Sequence, residues 1–336
     1  MNDTGARLVR LLADGELHSG ERLAAALGVT RAAVWKTIGE LRAHGIGVAS
    51  HDRRGYRLEN AVELLDGALL RQAATDAGVS WPAHTEVVFE LASTNERLQS
   101  EVAPPAGAPR LLFAEWQTAG RGRRGRAWLA PFGSGLTFSI AWTFAEMPSE
   151  LSALSLAMGV CVVAALRDLG GADVELKWPN DIVHRHRKLG GLLLQLRSEA
   201  GGPACVVAGL GLNLQLPAAA REALDALPDV TPVTDFTAAC GGDTPGRNVV
   251  AARVAGRMLE GLERFARDGF APFASDWARF DSLRDAPVTV LRHDGRLDGT
   301  ARGADREGAL VVETATGVVQ RVHAGDVSLR RGGADR

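Results

Sequence analysis

The chain has 336 residues, 46% hydrophobic and 23% charged, with a net charge of −2. That length exceeds one ordinary core and predicts two or three domains of soluble globular character. Near-neutrality excludes a surface coated by nucleic acid but leaves room for a local basic patch, because binding depends on where charge lies.

The opening "MNDTGARLVR" has no apolar core of signal-peptide type. "ARLVRLLAD" has helical apolar spacing, and "SGERLAAALG" follows with Ser19 placed as an N-cap and Gly28 as a stop. Thr30 can cap a longer helix, "TRAAVWKTIGELRAHG", with Ala33, Val34, Ile38 and Leu41 on one face. Helix, tight turn and second helix is the helix-turn-helix pattern. "IGVASHDRRGYRLEN" then reads as a two-stranded wing turning at Arg53, Arg54 and Gly55. Arg31, Lys36 and Thr37 are expected near the exposed face of the recognition helix, with Arg53 and Arg54 against phosphates. A unit used only for packing or dimerisation is the alternative; basic residues on both helix and wing favour DNA. One such module binds weakly, so a dimer on paired half-sites is expected.

From Asp66 to about Phe273 strands alternate with helices, predicting a mixed α+β domain on a large sheet. "RLLFAEWQ" and "SGLTFSIAWTF" are apolar strands flanking "QTAGRGRRGRAW" (Gln117 to Trp128), which is therefore a loop over the sheet. Its glycines let backbone N–H groups approach an anion, and its guanidinium groups can fork onto carboxylate or phosphate. Like charges would repel in the empty loop, which predicts a mobile segment that a ligand orders. A solvated basic loop or an RNA-binding tract is the competing reading. Gln117 and Trp128 favour a pocket, since an amide can pair with a polar heterocycle and an indole can stack on adenine.

The apolar run Leu151 to Leu166 contains Ser152, Ser155 and Gly159 and is short for a membrane span, so a buried helix and no membrane partner are expected. "KWPNDIVHRHRKLGG" places Lys177, Asn180 and Asp181 around a proline turn, then a hairpin with histidines at an exposed tip, then Lys188 before two glycines. Of 38 basic residues only Lys36, Lys177 and Lys188 are lysines, as though kept where a compact ammonium is needed. Asn180 and Asp181 could orient phosphates directly or through Mg²⁺, with no protein-only metal site. No phosphate-binding P-loop and no Ser-His-Asp set is present. Cys161, Cys205 and Cys240 lack metal-ligand spacing and read as structural thiols in a reducing cytoplasm. The segment from Ala286 onward has short β runs with turns at Asp294-Gly295, Glu307-Gly308 and Thr316-Gly317, predicting a small β-barrel. The expected division is 1–62, 63–283 and 284–336.

From about residue 7 to 330 the chain resembles the bacterial bifunctional biotin protein ligase and biotin operon repressor family. The resemblance rests on "LHSGERLAAALGVTRAAVWKTI", "GYRL", "STN" (Ser93 to Asn95), "EWQTAGRGRRGRAW", "KWPNDI", "RKLGGLLLQL", "GLGLN" and "AGDVSLR". It implies a winged helix-turn-helix, a central α/β ligase domain and an SH3-like C-terminal barrel. It also implies ATP-dependent formation of biotinyl-5′-AMP, transfer of biotin to a lysine of a biotin carboxyl carrier protein, and operator binding by a ligand-promoted homodimer. By position in the motifs, Ser93, Thr94, Asn95, Gln117, Gly120, Arg121, Gly122, Arg123 and Lys188 would hold biotin. Arg121, Arg123, Arg126, Trp128, Lys177, Asn180 and Asn213 would hold the adenylate, with Mg²⁺ near Asp181. Lys188, Arg123, Asn180 and Asp181 would carry the chemistry. A lipoate-type ligase, a biotin sensor without transfer activity, and a ligase whose winged domain has lost DNA binding are the rival readings.

Overall fold

A computed structural model describes residues 1–51, 54–198, 203–227, 231–292, 295–324 and 328–331. At the N-terminus, capping sets the helix limits. Asn2 accepts the Gly5 N–H ahead of α1 (Asp3–Leu12), Ser19 accepts Arg22 N–H ahead of α2 (Gly20–Leu27), and Thr30 accepts Ala33 N–H ahead of α3 (Arg31–Ala43). Gly28, at φ 69°, ends α2 in the left-handed region. Leu8, Leu12, Leu23, Val34, Ile38 and Leu41 close a small core beneath the wing strands β1 (Val48–His51) and β2 (Gly55–Leu58). The Arg42 guanidinium donates to Val48 O at 2.7 Å and Ser50 Oγ at 2.6 Å, tying α3 to the wing.

The central domain runs through α4 (Gly67–Asp76), β3 (His84–Leu91), α5 (Thr94–Ser100), β4 (Arg110–Gln117), β5 (Gly135–Phe144) and α6 (Leu154–Asp168). It continues with β6 (Val174–Lys177), β7 (Asp181–His184), β8 (Arg187–Ser198), β9 (Ala204–Asn213), α7 (Ala218–Asp225), α8 (Phe236–Ala239), α9 (Arg247–Asp268) and α10 (Ala274–Phe280). Among the described residues its seven strands order as β3-β4-β5-β9-β8-β7-β6, and only the β3–β4 pair is parallel. All ten residues of β5 are buried, because this strand lies inside the sheet with helices on its faces. The Leu151–Asp168 segment is long and apolar enough to cross a membrane, yet Leu154, Leu156, Met158, Val162, Val163 and Leu166 are packed in the core. That is the buried helix the sequence predicts.

The last strands, β10 (Pro287–Arg292), β11 (Gly295–Ala304), β12 (Leu310–Glu313), β13 (Val319–Val322) and β14 (Ser328–Arg331), pair antiparallel in the order β13-β12-β11-β10-β14. Val288, Val290, Leu310 and Val312 share one apolar cluster with the central domain. Trp178, buried just after Lys177, donates its indole N–H to Gly308 O at 3.0 Å and pins this sheet to the turn between β6 and β7.

The segment joining wing to sheet is anchored by charge. Glu63 accepts Arg247 N–H at 2.5 Å and Asn248 Nδ2–H at 2.7 Å, while Arg247 pairs with buried Glu115 at 2.5 Å. Glu115 also accepts Leu65 N–H. The winged module rests on β3: the Met1 ammonium lies 2.9 Å from Glu90, and the Arg10 guanidinium sits 5.7 Å from the centre of the Phe89 ring.

Two expectations need correction. The 184–187 hairpin tip is Arg185-His186, with φ 50° and 62°, but His184 is buried in its strand and burial pushes its imidazole below the usual range. Thr37 is also buried, because it lies three residues after Val34 and four before Leu41, on the core face of α3. The three cysteines are free; burial pushes the Cys161 thiol up to about 12, as expected of a structural residue.

Candidate functional site

Strand direction gathers the motif residues. β3 and β4 run parallel and end at the Ser93 cap and Gln117, while the antiparallel neighbours bring the end of β9 (Asn213), the start of β7 (Asp181) and Lys188 to the same edge. Between them lies a cleft of about 510 Å³ lined by Ser93, Thr94, Asn95, Gln117, Arg121, Gly122, Arg123, Arg126, Trp128, Lys177, Asn180, Asp181, Lys188 and Asn213. Gly120 is packed just behind, where a Cβ would lie 2.6 Å from Trp128 O.

One end of the cleft is polar and neutral. Gln117 Oε1 accepts Thr94 N–H at 2.7 Å and lies 3.1 Å from Thr94 Oγ1. Ser139, wholly buried on β5, contacts Thr94 Oγ1 at 2.7 Å and Asn95 Oδ1 at 2.5 Å. Asn95 spends its amide hydrogens on Leu193 O and Gln195 Oε1. Asn95, expected as a direct ligand contact, lines the cleft with both amide hydrogens given to protein partners. Ser93 Oγ accepts Glu96 N–H at 3.4 Å, a long cap bond.

The other end carries charge. Lys188 Nζ lies 2.7 Å from Asp181 Oδ1. Arg123 donates to Asn180 Oδ1 at 3.2 Å and to Ala324 O of the C-terminal sheet, while Asn180 Nδ2 donates to Leu192 O at 2.6 Å. Arg121 pairs with Glu96 at 2.6 Å, and Arg126 is exposed. The arginine-glycine loop folds back on itself: Gly122 N–H donates to Arg126 O at 2.7 Å, Trp128 N–H to Gly120 O at 2.8 Å, and Arg124 takes φ 58°. The Gly122 N–H is thereby spent inside the loop, and the side chains remain to meet an anion.

Trp128 packs against Gly211, where any Cβ would collide with the indole, and its ring centroid is 5.9 Å from Lys188 Nζ. Among the described residues, Trp128 Nε1 and Asn213 Oδ1 are buried without a hydrogen-bond partner. Buried polar atoms of this kind are costly unless something satisfies them, and both line the cleft.

Sequence reasoning missed Ser139, whose signal was a lone serine in an apolar strand. It also missed Leu224, Leu227, Thr231 and Val233, which close the cleft from a connection carrying no motif. In the winged module Arg31 is exposed and paired with Glu21 at 3.0 Å, and Lys36 is exposed beside Glu40 at 3.8 Å. Arg54 is exposed, and Arg53 lies outside the described residues. Trp35, 69% exposed on the same helix, was not anticipated.

Residues 90–213 match the biotin/lipoate A/B protein ligase family, residues 6–57 an HTH domain, and residues 286–330 the biotin protein ligase C-terminal domain. The chain is 36% identical to the "Bifunctional ligase/repressor BirA" of Salmonella typhimurium, over 96% of each chain. It is 34% identical to the protein of that name from Escherichia coli, over 98% of each. Among solved structures, the biotin protein ligase of Aquifex aeolicus in complex with biotin and ATP aligns at a TM-score of 0.62 and 27% identity, covering 74% of this chain and all of that one. The chain belongs to the family of bifunctional biotin protein ligase/repressors.

Proposed function

We propose that the protein is an ATP-dependent biotin protein ligase that forms biotinyl-5′-AMP, passes biotin to a lysine of a biotin carboxyl carrier protein, and represses transcription in response to biotin. The observation that carries the ligase reading is the division of one cleft into a neutral hydrogen-bonding end at Thr94 and Gln117 and a charged end at Lys188, Asp181, Arg123 and Asn180. A bicyclic urea with a carboxylate tail matches that polarity, ring first.

Lys188 would exchange Asp181 for the biotin carboxylate and steady it as one carboxylate oxygen attacks the α-phosphorus of ATP. A new O–P bond forms and the P–O bond to pyrophosphate breaks. Arg123 and Arg121 would hold the phosphate oxygens as charge builds, and Trp128 with Asn213 would take the nucleoside. In the second step the carrier's lysine amine attacks the acyl carbon, an amide N–C bond forms, AMP leaves and the amine loses a proton. No enzyme nucleophile is needed. Mg²⁺ bound with ATP would offset phosphate charge. Among the described residues no cluster of three His, Cys, Asp or Glu exists, so the nucleotide itself would supply most ligands, with Asp181 and Asn180 beside it. The free thiols fit a cytoplasmic setting.

For repression, the adenylate would order the arginine-glycine loop and favour a homodimer, which raises operator affinity by linkage. Mass spectrometry of the protein with biotin, ATP and Mg²⁺ tests the ligase half: biotinyl-AMP should appear, and Lys188→Ala should lose most of it. Operator binding tests the other half. A Lys36→Ala, Arg54→Ala double variant should ligate normally while losing DNA, and equal operator affinity with and without the adenylate would end the linkage argument.

A further inference from the structure

The hydrogen-bond chain beneath the neutral end of the cleft has fewer protons than contacts. Asn95 is oriented by Leu193 O, a backbone carbonyl that can only accept, so Nδ2 faces it at 3.1 Å and Oδ1 must face Ser139. Oδ1 also only accepts; the 2.5 Å contact therefore takes its proton from Ser139. Ser139 has one hydroxyl proton, now spent. The 2.7 Å contact between the two hydroxyls must take its proton from Thr94. Thr94 then has none left for Gln117, and the 3.1 Å approach to Oε1 is the contact that goes without, Oε1 being already supplied by Thr94 N–H at 2.7 Å.

We infer that Ser139 is a positioning residue that makes Thr94 Oγ1 an obligate acceptor towards the cleft. Oε1 of Gln117 is held against Thr94, so its Nε2 is the end left to donate. The site thus presents one acceptor and one donor side by side, complementary to an N–H and an adjoining C=O. Resting on the biotin reading above, this assigns the Thr94 contact to a ureido N–H and the Gln117 Nε2 contact to the ureido oxygen. Ser139 touches no substrate; it is wholly buried and acts through Thr94.

The probes are biotin and the two cyclic-carbamate analogues in which one or the other ureido N–H is a ring oxygen. A ring oxygen would face the Thr94 lone pairs, so wild-type protein should bind the analogue altered at that nitrogen on the order of 100-fold more weakly than biotin. In Ser139→Ala the Thr94 hydroxyl is released and can turn its proton to the oxygen. Discrimination against that analogue should shrink about tenfold, affinity for biotin should fall, and KM for ATP should hold. Ser139→Cys, whose thiol is a weak donor, should fall between and serves if the alanine variant does not fold. A parallel loss for all three ligands, or none, would overturn the role of Ser139 while leaving the ligase reading intact. Wild-type protein that binds no biotin would overturn that reading and this inference together.

Discussion

Lys188 and Asp181 form an ion pair of 2.7 Å at the mouth of the cleft, although strand register sets Asp181 opposite Gly191 and Lys188 opposite Val183. A register shift between Ile182 and Val183 brings them together, and Lys188 is held from the far side by its own backbone, which bonds Pro232 O and Thr234 N. The ammonium is thus aimed before any ligand arrives. Lys188→Ala should lower kcat/KM for adenylation, followed by pyrophosphate release, on the order of 10²–10³-fold. Lys188→Arg should not restore it, since a planar fork does not replace a point charge beside Gly191. Full activity of Lys188→Ala would remove Lys188 from the chemistry, and full activity of Lys188→Arg would remove the need for a point charge.

Gly211 is the floor under Trp128. An alanine there would put a methyl into the indole, which must then shift into the cleft or carry the loop away from it. Gly211→Ala should raise KM for ATP roughly tenfold or more while the melting temperature moves little. Adding Trp128→Ala should cost less than the two changes summed, because the clash is gone. Simple additivity would separate the two residues.

Arg247 and Glu115 are both buried, and the arginine also donates to Gly135 O at 2.9 Å and Glu63 O at 3.2 Å. Removing one partner leaves an uncompensated charge inside the protein. Arg247→Met should destabilise the chain by about 3–5 kcal/mol in urea unfolding. Glu115→Gln in the same chain should return part of that loss, and its failure to do so would place the cost in packing instead.

Asp281, buried at the end of α10, has no partner for Oδ2 among the described residues, and burial pushes its carboxyl up to about 6. The unfolded chain releases this proton near the usual carboxylate range while the folded chain still holds it. The native state therefore binds more protons between those values, and stability falls as pH rises from about 4 to 6 before levelling off. Asp281→Asn should be more stable than wild type at pH 7, by about 1–3 kcal/mol, with the gap closing towards pH 4. A gap that is constant with pH would assign the effect to another cause.

Local order was legible wherever one residue decides a backbone choice. The Ser19 and Thr30 caps, the Gly28 stop and the wing hairpin form as predicted, because capping and left-handed turns are settled within a few residues. The motif residues were legible too, since clustered arginines and isolated lysines have few uses in an apolar sheet. Side-chain orientation was not: Thr37 looks exposed in a polar stretch, and only the placement of Val34 and Leu41 in the core turns it inward.

The sequence by itself determined the kind of groups that line the cleft and the order of elements that deliver them. The tertiary structure alone decided which of those groups keep free hydrogen-bonding capacity. Asn95 was expected to bind directly and gives both amide hydrogens to Leu193 and Gln195, whereas Ser139, forty-five residues from Thr94 in sequence, orients the Thr94 hydroxyl. Leu224 and Val233 wall the cleft only because the chain after β9 folds back over it. A hydrogen bond has one proton to give, and where it goes depends on neighbours set by packing across strands, which no local spacing encodes.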